Sequence, residues 1–128
     1  MQSTLPRVLY FEDEAVMRRI ITRVLEREGV QVRTAGNGSE GLAIAREWLP
    51  DVILMDLMMP DMDGFEATRA LRADPRTAGA VIIAYSALDS VLASVRAFKA
   101  GVDLYLPKLT NHAELVATIR ERAPKRVA

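Results

Sequence analysis

Short, almost continuously apolar runs alternate along the chain with segments of helical period, and most of those runs end on a charged or hydroxyl-bearing residue. Val52–Met55 (VILM) and Val81–Tyr85 (VIIAY) carry no charged residue at all. A strand that is apolar on both faces needs cover on both, which a parallel sheet flanked by helices supplies. Strands are accordingly expected at 7–11, 30–34, 52–55, 81–85 and 104–106. Between them, 14–28 repeats Val16, Ile20 and Val24 with their neighbours Met17, Ile21 and Leu25 at helical spacing, and Gly29 closes it. Residues 39–48 continue the pattern with Leu42, Ala45 and Leu49, and 65–72 form a weaker helix that must stop before Pro75. Val91–Ala100 sets Val91, Val95 and Phe98 on one face and ends at Gly101, and a last helix runs through Leu115 and Ile119. Asn37 with Glu40 and Asn111 with Glu114 have the spacing of a capping box. Five strand–helix pairs joined by right-handed crossovers make a doubly wound α/β sheet.

At 128 residues the chain is long enough for one buried core and too short for two, so a single domain over 1–128 is expected. Seventeen basic residues balance seventeen acidic ones, leaving no electrostatic footprint for nucleic acid or for an anionic membrane. The absence of cysteine excludes disulfides, thiolate catalysis and zinc–thiolate sites. No apolar run approaches the roughly 20 residues of a membrane span, and the first residues have no charged segment leading into an apolar one. A cytoplasmic location is the expectation.

In open parallel sheets, ligands gather beyond the carboxyl ends of the strands. Here the first strand runs into Glu12-Asp13, the third into Asp56, the fourth into Ser86 and the fifth into Lys108. Carboxylates distant in sequence are thus brought to one edge, with a hydroxyl and an ammonium beside them. Like charges so close persist most easily around a divalent cation, and an all-oxygen set suits Mg²⁺. Metal, lysine, hydroxyl and a free carboxylate together describe a phosphoryl-transfer site.

Taken together, "VLYFEDE", "VILMDLMMPDMDG", "VIIAYSA" and "AGVDLYLPK", in this order and spacing, resemble the receiver domains of two-component response regulators, and in particular the single-domain chemotaxis type. The resemblance spans nearly the whole chain. It implies a flavodoxin-like, five-stranded parallel sheet in the order 2-1-3-4-5 with helices on both faces. It implies that Asp56 accepts a phosphoryl group from a sensor histidine kinase or a histidine phosphotransfer protein. Glu12, Asp13, Asp56 and the backbone carbonyl of Met58 would hold Mg²⁺, and Ser86 and Lys108 would contact the phosphoryl oxygens. Ser86 and Tyr105 would move as a switch, changing a partner-binding surface on the fourth helix, fifth strand and fifth helix (90–122). The chain would then be a signalling switch rather than an enzyme, limited to Mg²⁺-dependent self-phosphorylation and slow autodephosphorylation, with a downstream protein target and no direct contact with nucleic acid or membrane.

Two places depart from the family pattern. The acidic pair is Glu12-Asp13 instead of two aspartates, and Lys108 is followed by Leu109 where a cis proline is usual. A cis bond before a residue other than proline costs about 2.5–4 kcal/mol, so either that strain is tolerated or the loop is trans and Lys108 approaches differently. Met58 and Leu88, two residues beyond the acceptor and beyond the hydroxyl, are apolar, and are expected to hinder an attacking water and lengthen the phosphorylated state.

Other polar residues have structural readings. Asp61 follows Pro60 as a turn residue and Asp63 caps the next helix. His112 is an exposed helix-start residue, Trp48 packs, and Met55, Met58 and Met59 line core or pocket, since Mg²⁺ does not select thioethers. Arg120, Arg122, Lys125 and Arg126 form a solvated helix face and tail. Two other functions compete. A degenerate receiver would act by protein contact alone, which the Lys108-Leu109 loop favours and the retained Asp56, Asp13, Ser86 and Lys108 oppose. A phosphohydrolase of the haloacid dehalogenase type would need a second aspartate where Met58 stands. A flavin or dinucleotide role fits less, because the first turn offers Glu-Asp-Glu where phosphate binding wants glycines and backbone amides.

Overall fold

Each apolar run becomes a strand and each periodic segment a helix. The computed structural model describes residues 5–88 and 90–124, so Lys125 and Arg126 of the basic tail, and the first four residues, lie outside the described part. The order is β1 (Arg7–Phe11), α1 (Ala15–Arg27), β2 (Gln31–Ala35), α2 (Gly38–Trp48), β3 (Val52–Met55), α3 (Gly64–Ala73), β4 (Val81–Ser86), α4 (Val91–Ala100), β5 (Leu104–Pro107) and α5 (His112–Arg122). The five strands are all parallel and adjoin in the order β2-β1-β3-β4-β5, the doubly wound arrangement whose order reverses beside β1 and β3.

Period-two alternation splits the strands between two cores. Val8, Tyr10, Leu54, Ile83 and Tyr85 meet Ile21 and Leu25 of α1 and Leu115 and Ile119 of α5. Leu9, Phe11, Ile53, Met55, Ile82 and Ala84 meet α2, α3 and α4 through Leu42, Phe65, Leu71 and Ala97. These strand residues are fully buried or nearly so. Each large apolar side chain removed from water in this way contributes roughly 1.5–3 kcal/mol.

Helix ends follow the expected chemistry. Asn37, Asp63, Ser90 and Asn111 each accept, through the side chain, the backbone N–H three residues on. Gly29 and Gly101 close α1 and α4 with φ of +79° and +123°. His112 is exposed at the start of α5, as expected. Trp48 packs against the second core and lies under two guanidinium groups, those of Arg7 and Arg33.

Two helices turn differently from their most apolar stripe. In α4 it is Ala93, Ala97 and Ala100 that face the protein, whereas Val91, Val95 and Phe98 are 82%, 42% and 48% exposed. In α1, Val16 and Ile20 point outward while Ile21 and Leu25 are buried. Small alanines let a helix backbone lie close to its neighbours, and that close approach decides the buried face of α4 over side-chain hydropathy.

Candidate functional site

The site forms where β1, β3, β4 and β5 end together. Pairing of Phe11 with Met55 sets Glu12 beside Asp56, and pairing of Ser86 with Pro107 sets Ser86 beside Lys108. Backbone bonds fix the exits: Asp56 N–H donates to the Phe11 carbonyl (3.2 Å), Glu12 N–H to the Ala35 carbonyl (2.9 Å) and Lys108 N–H to the Ser86 carbonyl (3.0 Å).

Carboxylate oxygens of Glu12, Asp13 and Asp56 all lie within 4.8 Å of one another. Glu12 and Asp56 are buried, and Asp13 is exposed. The Lys108 ammonium donates to Asp56 Oδ2 at 3.1 Å and also to Glu12 Oε1. No cis peptide bond occurs among the described residues, so the Lys108-Leu109 bond is trans and the lysine still reaches Asp56. Asp56 Oδ1 accepts the Met58 N–H at 3.1 Å.

Burial raises the Asp56 pKa, and the charge of Glu12 adds to it; the Met58 N–H and Lys108 oppose without reversing the direction. Burial pushes Glu12 the same way, but the Lys108 ammonium, the Glu14 N–H and the Tyr10 hydroxyl outweigh it and hold Glu12 low. Burial would depress Lys108, and its two carboxylate partners raise it instead. The resulting balance is three clustered carboxylates against one ammonium. Such an all-oxygen set, part buried and part open, has the chemistry of a Mg²⁺ site, since that ion takes few carboxylates and keeps several waters.

Ser86 is fully buried at the end of β4, and its Oγ accepts the Leu88 N–H at 3.2 Å. Tyr105, half-buried on β5, packs against the second core and its hydroxyl donates to the Leu88 carbonyl. Both expected switch residues therefore hold the backbone of the same residue, one at its N–H and the other at its carbonyl. Met58 is 57% exposed, and a cleft of about 530 Å³ is lined by Asp13, Met58, Met59, Leu88 and Arg96, the last stacked 4.2 Å over the Phe65 ring. Met55 is core, while Met58 and Met59 line this cleft, as their positions suggested.

Asp63 caps α3 through the Glu66 N–H (2.8 Å). Gly64 is required by space: a Cβ there would lie 2.3 Å from the Asp56 carbonyl oxygen. Asp61 does more than turn the chain, because its carboxylate accepts the Gly38 and Ser39 N–H groups (2.9 and 3.3 Å) and ties the acceptor loop to the start of α2. Two residues escaped sequence reasoning. Arg18 donates from Nη1 to the carbonyls of Glu12 (2.7 Å) and Asp13 (2.9 Å), clamping the acidic loop to α1. Tyr10 donates to Glu12 Oε1 at 2.9 Å. A position five residues beyond the acidic pair on a helix could have flagged Arg18; nothing in an apolar strand flags the reach of Tyr10.

A doubly wound parallel sheet with carboxylates, a lysine and a hydroxyl gathered beyond the ends of its strands defines a flavodoxin-like fold with an acidic site at its carboxyl edge. Residues 8–120 match the family of response regulator receiver domains, and the chain belongs to that family. It is 37% identical over 113 residues to the protein PilH of Pseudomonas aeruginosa, covering 88% of this chain and 93% of that one. It is 34% identical over 116 residues to the DNA-binding dual master transcriptional regulator RpaA of Synechocystis sp., covering 91% of this chain but 48% of RpaA. The chain thus spans about half the length of RpaA and of the mycobacterial DNA-binding response regulator MtrA. Among solved structures, the chemotaxis protein CheY4 of Vibrio cholerae superposes with a TM-score of 0.87 at 29% identity, covering 92% of this chain and 98% of that one. Receiver domains interact with histidine kinases and typically bind Mg²⁺, and phosphorylation-dependent switching is their general role. No helix among the described residues is long and apolar enough to cross a membrane.

Proposed function

We propose that this chain is a phosphorylation-dependent switch of a two-component system, with Asp56 as the phospho-acceptor. The observation that carries the reading is the convergence of Glu12, Asp13 and Asp56 within 4.8 Å, with Lys108 Nζ 3.1 Å from Asp56 Oδ2. An Asp56 carboxylate oxygen attacks the phosphorus of a phosphohistidine on a kinase or a histidine phosphotransfer protein. The P–O bond forms as the P–N bond breaks, giving an acyl phosphate. Lys108 neutralises charge on the phosphoryl oxygens, and Ser86 contacts them from the end of β4. Asp13, Asp56 and the Met58 carbonyl, with Glu12 beside them, would hold Mg²⁺, which supplies the remaining positive charge.

Phosphoryl contacts favour one arrangement of Ser86, Leu88 and Tyr105 over another, and the resulting population shift alters the surface of α4, β5 and α5 that a downstream protein reads. The outward apolar residues of α4 lie on that surface. The chain works as a switch in the cytoplasm, with no turnover of an external substrate beyond its own acyl phosphate. Met58 and Leu88 line the cleft beside Asp13 and obstruct an attacking water, so the phosphorylated state is long-lived.

Incubation with Mg²⁺ and a small phosphodonor such as phosphoramidate, followed by intact mass measurement, tests the reading. One phosphoryl group is expected on the wild type and none on Asp56→Asn; no uptake, or uptake that survives the substitution, overturns it.

A further inference from the structure

Tyr10 is fully buried on the α1 and α5 side of the sheet, its ring 6.1 Å from that of Tyr85, and the transfer chemistry does not call on it. Its hydroxyl is nonetheless the donor that reaches Glu12 from below. Glu12 Oε1 accepts both the Tyr10 O–H at 2.9 Å and the Lys108 ammonium, while Oε2 accepts the Glu14 N–H at 3.2 Å. An ionised carboxylate offers about four acceptor positions. Protein donors therefore fill three of them, including both on Oε1.

Lys108 carries its charge on a flexible stem with four rotatable bonds, so its place is set by the acceptors that hold the ammonium. Among the described residues there are two: Oδ2 of Asp56, the proposed acceptor, and Glu12 Oε1. Glu12 is in turn held by Tyr10.

We propose that Tyr10 is a positioning residue of the acceptor site: its hydroxyl fixes the Glu12 carboxylate, and Glu12 Oε1 then holds the Lys108 ammonium against Asp56. The glutamate at position 12 accordingly serves the lysine first, and leaves direct cation coordination mainly to Asp13 and Asp56. The structural relay stands on the contacts alone, whereas its consequence for phosphoryl transfer rests on the function proposed above.

Tyr10→Phe keeps the buried ring and removes only the hydroxyl. In metal-free, ¹⁵N-labelled protein, the Lys108 ammonium resonance is assigned by its loss in Lys108→Met. Its exchange with solvent is expected to be severalfold faster in Tyr10→Phe than in wild type, with the backbone amide spectrum otherwise preserved. Glu12→Gln, of equal length but a weaker acceptor, is expected to show the same acceleration. Unchanged exchange in either variant overturns the relay. A second readout uses phosphoramidate at saturating Mg²⁺: Tyr10→Phe is expected to slow uptake severalfold when Lys108 is present and to add no further loss in Lys108→Met. Equal losses in both backgrounds would show that Tyr10 does not act through the lysine. If the wild type takes up no phosphoryl group, the acceptor reading falls, while ammonium exchange still decides the relay.

Discussion

The two edges of the sheet treat charge in opposite ways. At the amino edge, Arg72 donates to the carbonyls of Ala78, Ala80 and Gly101 at 2.6–2.8 Å and to the Asp103 carboxylate at 2.8 Å, and Asp103 also accepts the Ile82 N–H. Arg7 there donates from its backbone to Asp51 and from its guanidinium to the Trp48 carbonyl, each at 2.8 Å. These cations meet anions or carbonyls and brace the loops before β3, β4 and β5. At the carboxyl edge, three clustered carboxylates face one lysine, while the Arg18 guanidinium there donates to backbone carbonyls and that of Arg96 stacks on the Phe65 ring. The amino edge is built to stay put, and the carboxyl edge is built with negative charge left over, which is the property a cation and an incoming phosphoryl group require.

Substitutions at each edge should therefore fail in different ways. With the acceptor itself left in place, the largest functional effect is expected for Lys108→Met, which removes the ammonium held at Asp56. Phosphoryl uptake at saturating Mg²⁺ should slow about a hundredfold or more, measured by mass against time. A rate near wild type would place charge neutralisation elsewhere. Arg72→Ala at the opposite edge should lose about 3 kcal/mol of stability through four hydrogen bonds of a largely buried guanidinium. Urea unfolding measures this loss, and phosphoryl uptake by the folded fraction should stay as in wild type.

Arg18→Ala is expected to raise the Mg²⁺ Kd about tenfold, because it frees the backbone of the acidic loop without touching a carboxylate. Calorimetric titration reads it, and an unchanged Kd would show that α1 does not set the loop. The smallest effect is one on stability alone: Asp56→Asn, which should abolish phosphoryl uptake, is expected to stabilise the metal-free fold by about 1 kcal/mol at neutral pH by removing a buried like charge. Burial first, and then Glu12, raise the Asp56 pKa in the folded state. The native state thus binds the proton more tightly than the unfolded chain, and stability falls as pH rises from the ordinary aspartate value through the raised one. The gain from Asp56→Asn should appear above that window and vanish below it; a gain independent of pH would contradict the cause.

Much of this contrast was legible in the sequence. Strands such as VILM and VIIA declare themselves because burial on both faces leaves no room for polar residues, and the residues that follow them then share one edge by topology. Asn37, Asp63 and Asn111 were readable as caps because capping is local. The outward turn of α4 was not, since the hydropathy of Val91, Val95 and Phe98 outweighs three alanines whose value is their size. Nor was the trans route of Lys108 to Asp56, which depends on the path of a whole loop. Asp61 read as a turn residue because its partners Gly38 and Ser39 lie more than twenty positions away. Tyr10 was hidden for a related reason: a tyrosine in an apolar strand reads as core, and only the fold shows where its hydroxyl ends.

The surplus of negative charge at one edge is tested most directly by titrating Mg²⁺ into ¹⁵N-labelled protein and following every backbone amide. Saturable shifts are expected at residues 12–14 and 56–58, with the amides around Asp51 and Asp103 unmoved, and loss of the response in Asp13→Asn. No saturable shift at the carboxyl edge, or equal shifts at both edges, would contradict the account.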